Sequence, residues 1–513
     1  MKIRIGLDNY LAVSLIYLIL PVIVLGFGMM RIPWAVILGA ALLVTSSYLV
    51  FPGRKKKEKG LPDSESIEIS PVLFFVSVPV IIIWVYFSGI GEFSWTTADH
   101  PYRAAVLNDM VAYKWPVVFD LSKQTGALKG MTGTRVLAYY YAFWTIPALI
   151  GKMFGIFAAR VALLIWSVLG AFLILTGLFF IQKKPSFTAL AMLVLFSTFD
   201  FIPITVMDIL NLYDGSWEGW NTHLNLHSNT FQMMNVFNQC IPGWLATVLL
   251  LKKRDCRWVG LTGSIVFCYS PWGAVGMVPF ALYVWLYSRD GKINRIKDML
   301  SLWNFLPALS VIAFMAPFYL MNTLTMKGWA VSFYSSPGAF IISVVLYFIF
   351  ETGIWFLLLW PRRRDPGNIL YDRKLFVSLL PVFIILPFYL VGGITNDLLM
   401  RGSLVPLFVL FVMSVLRLDE TVAPLGKGGK HIGIKDAGIL LTYFIAALTP
   451  IMLIVASIAG SAVMYRENGF NNPDTYSLGS YGDVRDEEFE QNVLSVYLAD
   501  GYEDSIFARY IAR

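Results

Sequence analysis

Apolar stretches of about twenty residues recur along nearly the whole chain, and no other feature restricts its fold so severely. A helix of that length spans the hydrocarbon core of a bilayer, and in lipid only helices and closed barrels satisfy every backbone polar group. Composition agrees: of 513 residues, 57% are hydrophobic and 14% charged, against roughly 25% charged in soluble domains. The chain therefore reads as an all-α, polytopic transmembrane helical bundle. Disorder, collagen, a disulfide-stapled secreted scaffold and a soluble nucleic-acid binder are excluded by the same arithmetic. Cys240, Cys256 and Cys268 build no disulfide framework.

The net charge of +7 is a matter of position, because Lys and Arg concentrate in cytoplasmic loops. Lys2 and Arg4 precede an apolar run, Tyr10 to Met30, that is too long for a signal-peptide core. A cytoplasmic N-terminus is expected. Arg54 to Lys59 (RKKKEK) is the strongest basic cluster. Others follow at residues 183–184, 252–254 with Arg257, 289–297, 362–364 with 373–374, and 417–435. All lie on one side if only one of the two apolar stretches between Arg135 and Lys183 crosses. Tyr139 to Phe154 is short, aromatic and broken by Pro147 and Gly151, so it is expected to be interfacial or re-entrant.

Spans then fall near residues 10–30, 34–51, 71–89, 158–181, 186–206, 237–251, 258–271, 272–288, 301–320, 338–360, 375–391, 403–417 and 437–460, about 13 in all. Residues 1–70 form two N-terminal helices and a basic loop. Residues 71–460 form the main module, with a first large outer loop at 90–137. The acidic tail, 461–513, ends outside.

There is no P-loop, no dinucleotide fingerprint, no His-Glu-x-x-His and no paired Cys-x-x-Cys. Polar residues gather instead in four segments that charge parity puts on the outer face: 91–135, 207–238, 322–337 and 392–402. The first holds Glu92, Asp99, His100, Arg103, Asn108, Asp109, Tyr113, Lys114 and Asp120. A carboxylate there can take the proton of an attacking hydroxyl, and neighbouring Arg or Lys can hold a phosphate leaving group.

The order of these pieces carries a resemblance. After a membrane exit come T-A-D-H-P-Y-R-A-A-V-L-N-D-M and K-W-P, then Y-Y-Y-A-F-W-T-I-P-A-L-I-G-K leading into G-x-x-A-A-R. A Trp-, His- and Asn-rich segment from Ser216 to Asn238 follows, and later T-N-D-L-L-M-R-G-S before a span. This layout resembles the polytopic GT-C glycosyltransferases over most of residues 71–460, with two extra spans ahead of it. The resemblance implies an acidic catalytic residue in the first large outer loop, a sugar donor on a polyprenyl phosphate, and a lipid, glycan or protein acceptor. Asp99 stands where it implies the catalytic base, with Asp109 as second choice. No cofactor is implied, and a divalent metal has no support. The expected partners are membrane lipid, the lipid-linked sugar and its acceptor, with no nucleic acid, in a bacterial or archaeal cell membrane.

Each residue also has a plainer reading. Outer carboxylates are often solvated or cap helices. Arg103 lies one helical turn from Asp99, where it either binds donor phosphate or pairs with Asp99. His223 and His227, four apart, share a face if a helix begins at Asn221 or Thr222; metal, substrate contact and structure are all open there. Arg401 either holds a lipid-linked phosphate at headgroup level or snorkels. Glu351 lies inside an apolar run, where a carboxyl is costly, and either serves an ion-coupled carrier or bonds a neighbouring helix. Asp200 and Asp208 share that ambiguity. Three functions follow: a lipid-dependent glycosyltransferase, a lipid-linked polysaccharide polymerase or ligase, and a proton- or ion-coupled carrier or flippase.

Overall fold

The computed structural model describes residues 2–51, 65–97, 99–120, 133–212, 218–287, 292–322, 326–363, 365, 367–392, 395–424, 433–468, 477–478 and 496–513. The RKKKEK run, Asp214, Arg289, Arg364 and the acidic residues from Asp474 to Glu490 lie outside them.

The chain opens with β1 (Ile3–Gly6), α1 (Leu7–Met29) and α2 (Ile32–Val50); β2 (Ser66–Ile69) pairs antiparallel with β1 and leads into α3 (Pro71–Phe87). An excursion follows through α4 (His100–Ala112), β3 (Val118–Asp120), β4 (Thr134–Leu137) and α5 (Thr145–Phe154) before α6 (Ile156–Gln182). Next come α7 (Phe187–Leu195), α8 (Phe201–Ile209), α9 (Asn229–Lys253), α10 (Val259–Tyr269), α11 (Pro271–Tyr287), α12 (Lys292–Met299), α13 (Leu302–Tyr319) and β5 (Met326–Trp329). A π-helical segment, Tyr347–Gly353, joins α14 (Pro337–Leu346) to α15 (Ile354–Leu359). The chain continues through α16 (Arg373–Ile385), β6 (Tyr389–Gly392), α17 (Asp397–Gly402), α18 (Leu404–Val422), α19 (Ile434–Asn468) and β7 (Leu498–Ala499).

The fold is helical and that of an integral membrane protein, and of the about 13 expected spans the structure supports seven. Among the described residues, seven helices are long and apolar enough to cross a bilayer: α1, α2, α6, α9, and the runs Asn294–Tyr319, Pro337–Leu359 and Ile434–Glu467. The run at 186–206 breaks at Phe196–Asp200 between α7 and α8. Helix α10 has 11 residues and α16 has 13, lengths of roughly 16–20 Å at 1.5 Å per residue. Helix α18 is apolar because protein surrounds it. It is buried along most of its length and ends in Arg417, Asp419 and Glu420. Hydropathy registers an apolar neighbourhood without separating lipid from protein. The apolar window of α9 is 94% buried and that of α19 only 22%, so the first is core and the second a peripheral helix.

Ion pairs define a basic end of the bundle. Lys2 meets Glu68 at 3.0 Å, Lys252 meets Glu65 at 2.6 Å, Lys184 meets Asp419 at 2.6 Å and Arg254 meets Asp372 at 3.3 Å. The described basic residues near 2–4, 183–184, 252–257, 373–374 and 417 thus gather together. At the opposite end, β3, β4 and β7 form one antiparallel sheet. There Arg31 donates to the carbonyls of Ala512 (3.1 Å) and Arg509 (2.8 Å), tying the α1–α2 corner to the tail. Helix α5 has 10 residues, about 15 Å, and does not reach across a bilayer. Gly155 then turns the chain at φ 89° into α6, a left-handed conformation that glycine adopts freely.

Candidate functional site

Helix α4 positions the first two site residues. Pro101 sits in its first turn, where a fixed φ and a missing N–H cost nothing. Asp99 occupies the N-cap position without capping the helix. Its carboxylate turns instead to Arg103 Nη2 at 3.0 Å, with the Asp99 side chain 57% exposed and Arg103 3%. The base candidate faces solvent while its cationic partner is sunk in protein.

Arg401 comes from far along the chain. Asn396 caps α17 by accepting the Leu399 N–H, and Asp397 pairs with Arg401 at 3.0 Å one turn later. The backbone of Gly402 lies so close to Gly276 on α11 that a Cβ on Gly276 would meet the Gly402 carbonyl. That approach seats α17, and the Arg401 guanidinium stacks over Tyr140 at 5.4 Å.

The tail joins these pieces. β7 pairs with β4, Asn322 donates to the Ala138 carbonyl at 3.0 Å and to the Val496 carbonyl, and the Tyr497 ring packs on Tyr139 at 4.6 Å and Tyr102 at 6.0 Å. Burial first, and Tyr139 next, hold the Tyr497 phenol well above its ordinary value, within the fields of Arg103, Asp99 and Arg401 together. Tyr139 is buried, with its hydroxyl unpartnered. Asp99, Arg103, Arg401 and three tyrosines therefore share one locality. Tyr497 had no sequence signal: it lies in a tail whose only marked feature is acidity, and its contacts are all long-range.

His227 borders this cluster, its ring 4.3 Å from Phe231; burial holds its imidazole down to about 3, with Asp99 acting in the opposite direction. It is a neutral group. His223 lies apart, against Phe333 (5.9 Å) and Tyr334 (5.8 Å), and burial lowers it too. The two share no helical face, because residues 218–228 are not helical and α9 begins only at Asn229. Among the described residues no three His, Cys, Asp or Glu side chains are placed to hold a metal ion.

Asp109 is turned away from Asp99, about 15 Å further along α4. Its Oδ2 accepts the Leu478 N–H at 2.8 Å, and burial raises its carboxyl to about 7 against the hydrogen bonds from Ser477 and Leu478. It holds a piece of the tail.

A second polar locality lies deeper. Glu351 sits in the π-helical segment inside an apolar run and accepts from the Trp220 indole and, at 3.2 Å, from the Leu226 N–H. Asp200 accepts from Ser197 at 3.0 Å and lies within hydrogen-bonding reach of Glu351. Glu218 accepts the Ser228 N–H. All three carboxyls are buried. The loop 218–228 thus dips to the middle of a span, a placement that hydropathy did not announce.

The chain matches no known family model, no curated protein and no solved structure.

Proposed function

We propose that the chain is an integral membrane glycosyltransferase, taking a sugar from a polyprenyl-phosphate donor to a lipid, glycan or protein acceptor. The supporting observation is the convergence of Asp99 and Arg103 with Arg401, some 300 residues later in the sequence, around Tyr139, Tyr140 and Tyr497. In this reading Asp99 removes the acceptor hydroxyl proton as that oxygen bonds to the anomeric carbon. The bond from that carbon to the phosphate oxygen breaks, and the polyprenyl phosphate leaves with the electron pair. Arg103 and Arg401 stabilise the charge it gains. Exposure of Asp99 supports the role, because a base must exchange its partner for substrate. The experiment is incubation of the purified protein with radiolabelled polyprenyl-phosphate sugars and membrane extract. Transfer to an extractable or precipitable acceptor is expected, and no transfer from any donor removes the reading.

The embedded carboxyls support a second reading, a proton-coupled carrier. Its signature is the opposite dependence: Glu351→Gln abolishing transport in cells while Asp99→Asn leaves it intact.

A further inference from the structure

Residues 320–336 join two runs long and apolar enough to cross a bilayer, Asn294–Tyr319 and Pro337–Leu359, so this connection belongs to one membrane face. Within it β5 pairs antiparallel with β6, setting Lys327 opposite Val391, Gly328 opposite Leu390 and Trp329 opposite Tyr389. Directly opposed side chains share a face of a pleated pair, and successive residues alternate. Gly328 and Leu390 therefore turn to one face, and Lys327, Trp329, Tyr389 and Val391 to the other. Leu390 is fully buried, whereas Trp329 is 68% exposed and Tyr389 is exposed beside it. The inner face joins the protein and the outer one presents rings to the surroundings.

The ribbon stands level with a span, not above one. Phe388, immediately before β6, lies 6.3 Å from Phe340 in the first turn of α14 and 6.2 Å from Phe348, about two turns deeper. Tyr389 follows it in sequence and meets Trp329 edge to face at 5.8 Å. Ile341 and Val345 on α14, and Leu320 and Val331 in the connection, are exposed as well, so the ribbon adjoins the lipid-facing surface of α14. Its unpaired backbone groups exclude the hydrocarbon core, while its rings need apolar contact. Trp and Tyr satisfy both demands at the boundary between acyl chains and headgroups. Lys327, exposed and the one charge among the four outer residues, lies roughly 7 Å along the strand from Trp329, within reach of the headgroups.

We propose that the outer face of the β5–β6 ribbon is a membrane-docking surface, with Trp329 and Tyr389 seated at the acyl–headgroup boundary and Lys327 among the headgroups. Its partner is the lipid of the leaflet on the side of β3, β4 and β7, because α17, which follows β6, stacks Arg401 over Tyr140, three residues past β4. Asn396 donates to the Tyr389 carbonyl at 3.5 Å and caps α17, so the height of the ribbon in the lipid sets the height of Arg401. The docking does not depend on whether sugar is transferred.

The test places a nitrobenzoxadiazole label on the full-length protein in phosphatidylcholine liposomes. Ser332→Cys puts it one turn from Trp329, whose carbonyl accepts from Ser332. The native cysteines are buried, and the parent protein serves as the labelling blank. The aqueous reference is Glu467→Cys, exposed at the far end of α19, whose 35 residues reach roughly 52 Å against about 30 Å of hydrocarbon. Lipid carrying a nitroxide at acyl carbon 5 is expected to quench the label at 332 at least threefold more than that at 467, and iodide at least threefold less. Trp329→Asp in the Ser332→Cys protein is expected to reduce the lipid quenching at least twofold, while a label at Ile349→Cys, half-way along the α14–α15 run, keeps its own. Iodide quenching at 332 equal to that at 467 puts the ribbon in water and overturns the proposal. Stronger quenching at 332 by a nitroxide at carbon 12 than at carbon 5 puts it in the core and does the same, as does lipid quenching that Trp329→Asp leaves unchanged.

Discussion

Two buried polar clusters face each other in this molecule as opposites. The cluster around Asp99 pairs a solvent-facing carboxylate with a sunken arginine, adds a second arginine on a tyrosine face, and draws on segments from both halves of the chain. The cluster around Glu351 joins like groups, Asp200 and Glu351, and satisfies them with neutral donors from Ser197, Trp220 and Leu226. Opposite charges with one partner in water can exchange that partner for a substrate. Like acids sealed from water can exchange only protons, or serve as fixed acceptors that hold a polar loop inside an apolar bundle. Under the proposed transferase reading, the difference gives chemistry to the first cluster and architecture to the second.

The sharpest way to break this division is Asp99→Asn, which preserves shape and removes the proton acceptor. Transfer is expected to fall by roughly 10²–10⁴-fold, about 2.7–5.5 kcal/mol of barrier, with donor binding retained, as read by single-turnover kinetics beside donor titration. A parental rate in Asp99→Asn with a dead Asp109→Asn moves the base along α4. Next in size is Glu351→Ala, which strands the Trp220 indole and the Leu226 N–H. At about 1–3 kcal/mol for each orphaned donor, a loss of roughly 2–6 kcal/mol should lower the thermal midpoint in detergent, while Glu351→Gln keeps an acceptor and transfers sugar at near the parental rate. Loss of transfer in a well-folded Glu351→Gln protein ends the architectural assignment.

Arg401→Ala comes third. A phosphate deprived of one charged hydrogen bond is expected to bind about 1.5–3 kcal/mol less tightly, seen as a raised donor KM with kcat less affected. The smallest effect concerns Asp109, which anchors the tail without joining the site. Unfolded, its carboxyl ionises near 3.8; folded, it keeps its proton to about 7. Its contribution to stability is therefore complete below about 3.8 and is lost as pH rises through about 7. Asp109→Asn should flatten that part of the pH–stability curve, measured by thermal midpoints from pH 4 to pH 8, without altering transfer. Unchanged curves would mean that the carboxyl is solvated and the tail contact weaker than drawn.

Local chemistry was legible in the sequence and long-range assembly was not. The four-residue spacing of Asp99 and Arg103 announced their ion pair, whereas Arg401, read as a phosphate ligand or a snorkelling residue, pairs with Asp397 at the same spacing. The shortness of Tyr139–Phe154 announced a helix that does not span. Apolar runs located α1, α2 and α6 closely, because those helices touch both protein and the molecule's outer surface along their length. The same criterion also gave spans at 186–206, 258–271 and 403–417, which are not among the seven long apolar helices; there the apolar neighbours are other helices or the run is interrupted. His223 and His227 misled because four-residue spacing means a shared face only within a helix. Tyr497 was invisible for the plainest reason: its partners Tyr102 and Tyr139 lie hundreds of residues away, and no local pattern encodes a third strand.

That third strand also sets a clock. Arg103 leaves the ribosome 394 residues before Tyr497, and at about 5–20 residues per second the interval is on the order of 20–80 seconds. Throughout it the guanidinium must sit beside a forming bundle without the tail that will cover it. Asp99, one turn away on the same helix, is on hand from the first moment. The ion pair can form long before the tail arrives, and under the proposed transferase reading its release to a substrate would reuse that early contact.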